Sequence, residues 1–538
     1  MTLRVGTKPH SRIKPHYALI MVLALGLTSR AQMITSQYDN ARTGGNLTET
    51  KLTPRNVNPQ QFGKLFALKV DGDIYAQPLF LADVQIPGKG RHDVVFVATE
   101  HDSVYAFDAY GNPSSPLWHV SFLKQGVTTV PADNVACPFI VPEVGITSTP
   151  VMDAKTGTLY VLVRTKESKS LFSKTEFHQR LHALAVTTGV EKFGGPADIH
   201  AQMRGLGTGS TNGILDFAPL TENPRAALLL ANGMVYLTWA SSCDVGPYHG
   251  WVMAYDAQSL QQKAFFNASP DADDSGIWAS DTGPAADKDG NVFVATGNGH
   301  FDVAKGGRDY GDSFLKLSLN GQHLSPSDYF APFDVDALDA DDKDLGSGGP
   351  LLLPDQPGPH PHLALVGGKD ATIYVVDRDH MGHYQTANNS QVVQIISLQG
   401  GIYGSMAYWN HNVYVEGSGD HLRDFEIKNG KLSLKASNGN TFQNNAATPT
   451  ISANGVKDGI VWVLITKGWN APDRPEVLHA YDALDIAHEL YNSNYYAARD
   501  QAGQSLRFNT PTVMNGHVYV GAKHEVDVYG LLPTGAKK

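Results

Sequence analysis

The sequence predicts an all-β fold, an eight-bladed β-propeller closed by an N-terminal strand that joins the last blade. Three observations carry this expectation. One strand unit recurs eight times along the 538 residues, the last copy runs out one strand short, and a spare strand precedes the first copy.

Each unit opens on a small or polar residue followed by Pro. The openings are Gln77-Pro78, Thr149-Pro150, Ala218-Pro219, Gly283-Pro284, Gly349-Pro350, Ser405-Met406 (where Pro is lost), Thr448-Pro449 and Thr510-Pro511. Successive openings lie 43 to 72 residues apart, with the variation in loops. A turn rich in Asn-Gly, Asp-Gly or Thr-Gly leads to a second strand of Val, Tyr and Phe, such as 94–98, 234–239 and 517–521. A polar loop then leads to a third strand, often ending in Ala-Tyr-Asp or Ala-Phe-Asp, as at 103–108, 251–256 and 477–482. Such a unit cannot bury both faces alone, so neighbours must stack. The eighth unit ends at Tyr529, after its third strand, and residues 63–70 are free to complete it, which removes an exposed edge.

Residues 1–31 read as a Sec-type signal peptide. Arg4, Lys8, Arg12 and Lys14 precede an apolar run at 17–27, too short to span a bilayer, and Ser29-Arg30-Ala31 places cleavage before Gln32. Residues 32–538 are then one propeller domain, exported to the periplasm or secreted. Removing five Lys/Arg and no Asp/Glu takes the net charge from −11 to −16. That balance disfavours nucleic acid and anionic membranes as partners, and no later apolar stretch is long enough to span a bilayer. Charged residues at 18% argue against a long polar tail. The two cysteines, Cys137 and Cys243, form one disulfide or remain two free thiols.

The third strands and their following turns resemble the PQQ-type repeat of quinoprotein alcohol dehydrogenases, A-x-D-x-x-T-G-x-x-x-W. Residues 183–193 (ALAVTTGVEKF) keep its spacing, and 106–118, 254–265 and 480–491 are looser versions. Thr296-Gly297-Asn298 looks like the family's T-G-N turn, which implies Asn298 as a calcium ligand. Gly311-Asp312-Ser313 looks like its G-D-N, which implies Asp312 as catalytic base and metal ligand. Trp278 stands where the family's tryptophan stacks on the quinone. Gly368-Lys369-Asp370 resembles the segment whose basic residue contacts the quinone carbonyls. Asp244 lies near the position of the family's calcium-binding Glu. The family's adjacent Cys-Cys pair has no counterpart here.

In a propeller, the loops joining second to third strands and those joining blades open on one face. Asp244, Asn298, Asp312 and Lys369 fall on the first kind, Glu143 and Trp278 on the second, so all are expected at one mouth of the channel, with Glu143 facing a cofactor there. Cys137 and Cys243 fall on the same face. The resemblance implies a PQQ- and Ca²⁺-dependent dehydrogenase that oxidises an alcohol or sugar and passes electrons to a separate acceptor. The alternative is a non-catalytic propeller that docks an envelope protein or glycan on that face. The acidic run Asp334, Asp336, Asp339, Asp341, Asp342, Asp344 reads as a solvated connection. His101, His249, His300, His421 and His479 show no metal-ligand spacing.

Overall fold

The computed structural model describes residues 1–3, 6, 31–168, 174–442, 447–467, 471 and 474–533. The apolar run at 17–27, read as an export signal, lies outside the described residues. The described residues form eight sheets of four or five strands. In order, the blades cover 79–121, 151–198, 229–267, 285–331, 351–397, 407–437, 450–492 and 512–531. Within each blade, successive strands pair antiparallel from the inner edge outward, as Val151–Asp153, Thr158–Glu167 and Glu176–Ala185 do in blade 2.

Blade 8 takes its fourth strand from the other end of the chain. Phe62–Lys69 pairs antiparallel with Glu525–Leu531, with Phe62 opposite Leu531 and Lys69 opposite Glu525. The second and third strands are buried on both faces rather than alternating, as Ser103–Asp108 shows, because each sheet is stacked between two others. Alternating exposure survives in outer strands such as Trp118–Ser121 and Gln394–Ser397. One opening differs from the reading above. Ala218-Pro219 lies in a turn, and blade 3 begins at Leu229, so its opening is Ala227-Leu228, a second one without Pro.

Two hydrogen bonds recur between blades. A second-strand tyrosine donates to the alanine carbonyl that follows the neighbour's Ala-Tyr-Asp or Ala-Phe-Asp: Tyr160 to Ala257 at 2.6 Å, Tyr414 to Ala483 at 2.7 Å and Tyr519 to Ala109 at 3.0 Å. The last of these crosses from blade 8 to blade 1. The second tie is a buried carboxylate, at the corner between second and third strands, that accepts a backbone N–H of the connector entering the next blade. Glu100 accepts from Gly145 at 2.6 Å, Asp312 from Leu345 at 2.8 Å, Glu416 from Ala447 at 2.5 Å and Glu476 from Leu506 at 2.9 Å.

The segment before the first blade crosses the middle of the ring and meets every innermost strand. Met33 pairs with Phe80 of blade 1. The Ile34 carbonyl accepts from Met152 of blade 2, Asn40 from Ala286 of blade 4, Ala41 from Leu352 of blade 5, Thr43 from Tyr408 of blade 6 and Gly44 from Ile451 of blade 7. The Asn40 side chain donates to Leu230 of blade 3, and that of Asn46 to Val513 of blade 8. Each blade is met two residues beyond the second residue of its opening. At the centre Arg42, 0% exposed, donates to Thr35 Oγ1 and to the carbonyls of Ser36, Pro284 and Leu228.

Arg42→Ala leaves several buried carbonyls without donors and is expected to cost about 3 kcal/mol or more. Arg91→Ala, which breaks an exposed pair with Asp83, is expected to cost under about 1 kcal/mol. Denaturant unfolding of the two variants checks this, and equal midpoints would refute the central role of residues 33–46. Glu100 gives a pH signature. Burial, opposed by the Gly145 N–H, pushes its carboxyl from 4.5 up to about 7. Between those values the folded protein keeps a proton that the unfolded chain has released, so stability falls as pH rises. Calorimetry is expected to show Glu100→Gln gaining on the wild type from pH 4.5 to 7; parallel profiles would count against it.

Candidate functional site: a two-lobed cavity at the channel mouth

The connectors between blades carry a repeated lining position. The residue two before each opening is Tyr75, Thr147, Arg225, Asp281, Ser347, Tyr403 or Phe508 in seven of the blades. Each of the seven lines either a cavity of about 280 Å³ or a small adjoining space. The loops between second and third strands add Asp244 and Lys369, and the connector before blade 4 adds Trp278.

One lobe is acidic. Lys369 Nζ pairs with Asp342 Oδ1 at 2.6 Å and with the buried carboxylate of Asp344. Burial works against the lysine's charge, but Asp344 and Asp342 outweigh it and hold Lys369 above the usual lysine value. Burial pushes the Asp344 carboxyl up, with Lys369 opposing. Asn298 closes the lobe: its backbone N–H donates to Asp344 Oδ1 and its side-chain Nδ2 to Asp342 Oδ1, both at 2.8 Å. The Asn298 Oδ1 and Trp278 Nε1 atoms are buried without hydrogen-bond partners among the described residues. Gly297 permits this crowding, since a Cβ there would sit 2.3 Å from Asp344 Oδ1 and 2.9 Å from Trp278 Nε1. Asp244 accepts from the Tyr248 hydroxyl at 3.0 Å, and burial raises its carboxyl.

The other lobe is cationic and aromatic. The Arg225 guanidinium lies 4.5 Å from the Phe508 ring centre. That of Arg507 lies 4.2 Å from Phe139 and 4.7 Å from Phe508. Burial, then the nearby Arg225, lowers Arg507 to about 10, which leaves it charged at neutral pH. The Cys137–Cys243 disulfide also lines the cavity and joins the connector before blade 2 to the blade 3 loop that carries Asp244.

Of the residues singled out in the sequence, Trp278, Lys369, Asp244, Cys137 and Cys243 line this cavity. Asn298 supports it from behind. Two residues stand elsewhere. Asp312 is 0% exposed and does not line the cavity. Its Oδ1 anchors Leu345, the same connector tie that Glu100, Glu416 and Glu476 make, and burial followed by the charge of Asp344 holds its carboxyl well above the usual range. Glu143 is taken up by His101 Nδ1 at 2.8 Å and Thr129 Oγ1 at 2.6 Å, away from the cavity. The acidic run is not wholly solvated: Val335–Ala340 forms a helix, and the run ends with Asp344, 2% exposed, inside the site. Asp344, Arg225 and Arg507 are the functional candidates that sequence reasoning passed over. Counting back two residues from Thr510-Pro511 would have found Phe508 and, beside it, Arg507, whereas Arg225 was out of reach because the blade 3 opening was misplaced.

No helix among the described residues is long and apolar enough to cross a membrane. Comparison of the sequence with family models and with curated proteins finds no match. Solved structures share the fold. The quinohemoprotein alcohol dehydrogenase ADHIIG from Pseudomonas putida HK5 superposes with a TM-score of 0.60 at 15% identity, over 94% of this chain and 81% of that one. The quinohemoprotein alcohol dehydrogenase from Comamonas testosteroni gives 0.59 at 14%, over 94% and 81%. A europium-containing methanol dehydrogenase gives 0.55 at 12%, over 93% and 98%. The chain is thus an eight-bladed β-propeller of the architecture seen in quinoprotein alcohol and methanol dehydrogenases.

Proposed function

We propose that this is an exported quinoprotein dehydrogenase that holds PQQ and a calcium ion in the two-lobed cavity and oxidises an alcohol or sugar, passing electrons to a separate acceptor. The carrying observation is that one cavity, with Trp278 in its wall, brings together an acidic and a cationic set of side chains. Hard oxygen donors converge on one side, from Asp244, Asp342, Asp344 and the unpartnered Asn298 Oδ1. Two arginines bracketed by aromatic rings stand on the other. That arrangement fits a flat polyanion whose polar edge shares a cation with carboxylates.

The donor set suits calcium, which takes carboxylate and amide oxygens, and the 280 Å³ cavity suits a tricyclic ring. When bound, the quinone supplies the two-electron acceptor and calcium the Lewis acid. The chain supplies the rest. Arg225 and Arg507 orient carboxylates, Trp278 offers a face, and Lys369 keeps a positive charge at the acidic lobe. Asp344 takes the substrate hydroxyl proton, a role that its place in the cavity gives to it rather than to Asp312. Burial raises its carboxyl, the direction that strengthens a base.

Titration of the purified chain with PQQ in the presence of calcium is expected to quench tryptophan fluorescence at one equivalent, with weaker binding in Arg225→Ala. Dye-linked oxidation of alcohols and aldoses is expected to fall by about 10²–10⁴ in kcat in Asp344→Asn with binding retained. Absence of PQQ binding with calcium present overturns the reading and favours a non-catalytic scaffold that docks a protein or glycan on this face.

A further inference from the structure

Two residues beyond Asn298, the blade 4 loop makes a second constellation outside the cavity. One ligand atom from each of His300, Asp302 and Asp309 lies within 4.8 Å of the other two. The spacing is too irregular to be legible as a metal motif, because the loop doubles back. Phe301 bridges Tyr310, and Val303–Lys305 forms a single 3-10 turn that brings Asp309 beside Asp302.

Both carboxylates are already oriented. Asp302 Oδ1 accepts the Asp309 N–H at 3.0 Å, and Asp309 Oδ1 accepts the Asp271 N–H at 3.0 Å. Each therefore keeps its other oxygen for a ligand, and Asp302 Oδ2 lies 3.9 Å from His300 Nε2. Gly307 packs against Asp302, where a Cβ would fall 2.0 Å from the carboxylate, so the acid is held from behind as well. The imidazole is more than half exposed, which leaves a path from solvent.

A second observation points to a missing cation. Asp309 is 1% exposed, yet among the described residues no lysine or arginine pairs with it or with Asp302; the adjacent Arg308 is committed to Asp271. A buried carboxylate beside a second carboxylate needs a compensating charge.

We propose that His300, Asp302 and Asp309 form a site for a divalent transition-metal ion of the zinc class, distinct from the cavity and independent of whether a quinone binds there. One imidazole nitrogen and two carboxylate oxygens suit zinc better than calcium, with water completing the shell. The backbone N–H groups on the outer oxygens fix the ligands as supporting partners do in known metal sites. Bound metal clips the 300–310 loop to the connector at Asp271, between blades 3 and 4.

The test uses the metal-stripped full chain titrated with zinc by calorimetry and with cobalt by visible absorption. The wild type is expected to bind one more equivalent than His300→Ala, with a cobalt d–d band that the variant lacks. Zinc affinity at that equivalent is expected to drop by about tenfold or more in Asp309→Asn. His300 is exposed, so its variant folds even if Asp309→Asn does not. Identical stoichiometry, affinity and cobalt spectrum in wild type and His300→Ala would overturn the proposal. Preference for calcium over zinc at this equivalent would overturn the metal assignment.

Discussion

Everything in this ring hangs on the stretch from Met33 to Asn46. A propeller blade buries both faces only when it has a neighbour on each side, so ring closure is a condition of stability and not an ornament. Two devices meet that condition at the seam: Phe62–Lys69 completes blade 8, and Tyr519 bonds to Ala109 as Tyr160 and Tyr414 do at other junctions. The stretch at 33–46 goes further by bonding to all eight inner strands at equivalent places. It fixes the depth at which each inner strand begins. Through that it fixes the connector residues just before each opening, which line the cavity.

The same geometry explains how the chain tolerates so many buried charges. A buried carboxylate that accepts a backbone N–H is costly to desolvate, and burial raises the carboxyl of Glu100, Asp312, Glu416 and Glu476 alike. Their repetition at four blade corners marks them as anchors for connectors. Asp344 differs. It is paired with Lys369, it borders open space, and its other oxygen takes the Asn298 N–H. A buried ion pair of this kind is weak evidence for stability, and its place at a cavity wall suits chemistry better.

The repeat was legible because strand chemistry is local. The third strands Ser103–Asp108, Trp251–Asp256 and Val477–Asp482 are bounded where the sequence alone places them. Blade 3 was misplaced because Pro219 offers the stronger punctuation, while the true opening at Ala227-Leu228 lacks Pro altogether. Motif resemblance pointed to Lys369 on a second-to-third loop and to Trp278 on a connector, and both line the cavity. Asp312 misled because Gly-Asp-Ser fits both a catalytic turn and a connector anchor, and only the position of Leu345 separates them. Residues 33–46 were invisible, since no local pattern marks a stretch whose backbone, asparagine and arginine groups bond to partners spread from blade 1 to blade 8.

That last property sets an order on biogenesis. The stretch that joins all the blades is made early in synthesis, whereas its last partner, Val513, is made late. Blade 8 likewise waits with its outer strand made early and its inner three made late. Neither assembly can finish on a partial chain, and sequence separation of this size makes for slow, late closure. A linear solenoid can fray from either end, repeat by repeat. Here the two ends are tied into the same blade and the same centre, so the ring has no terminal repeat from which to unravel.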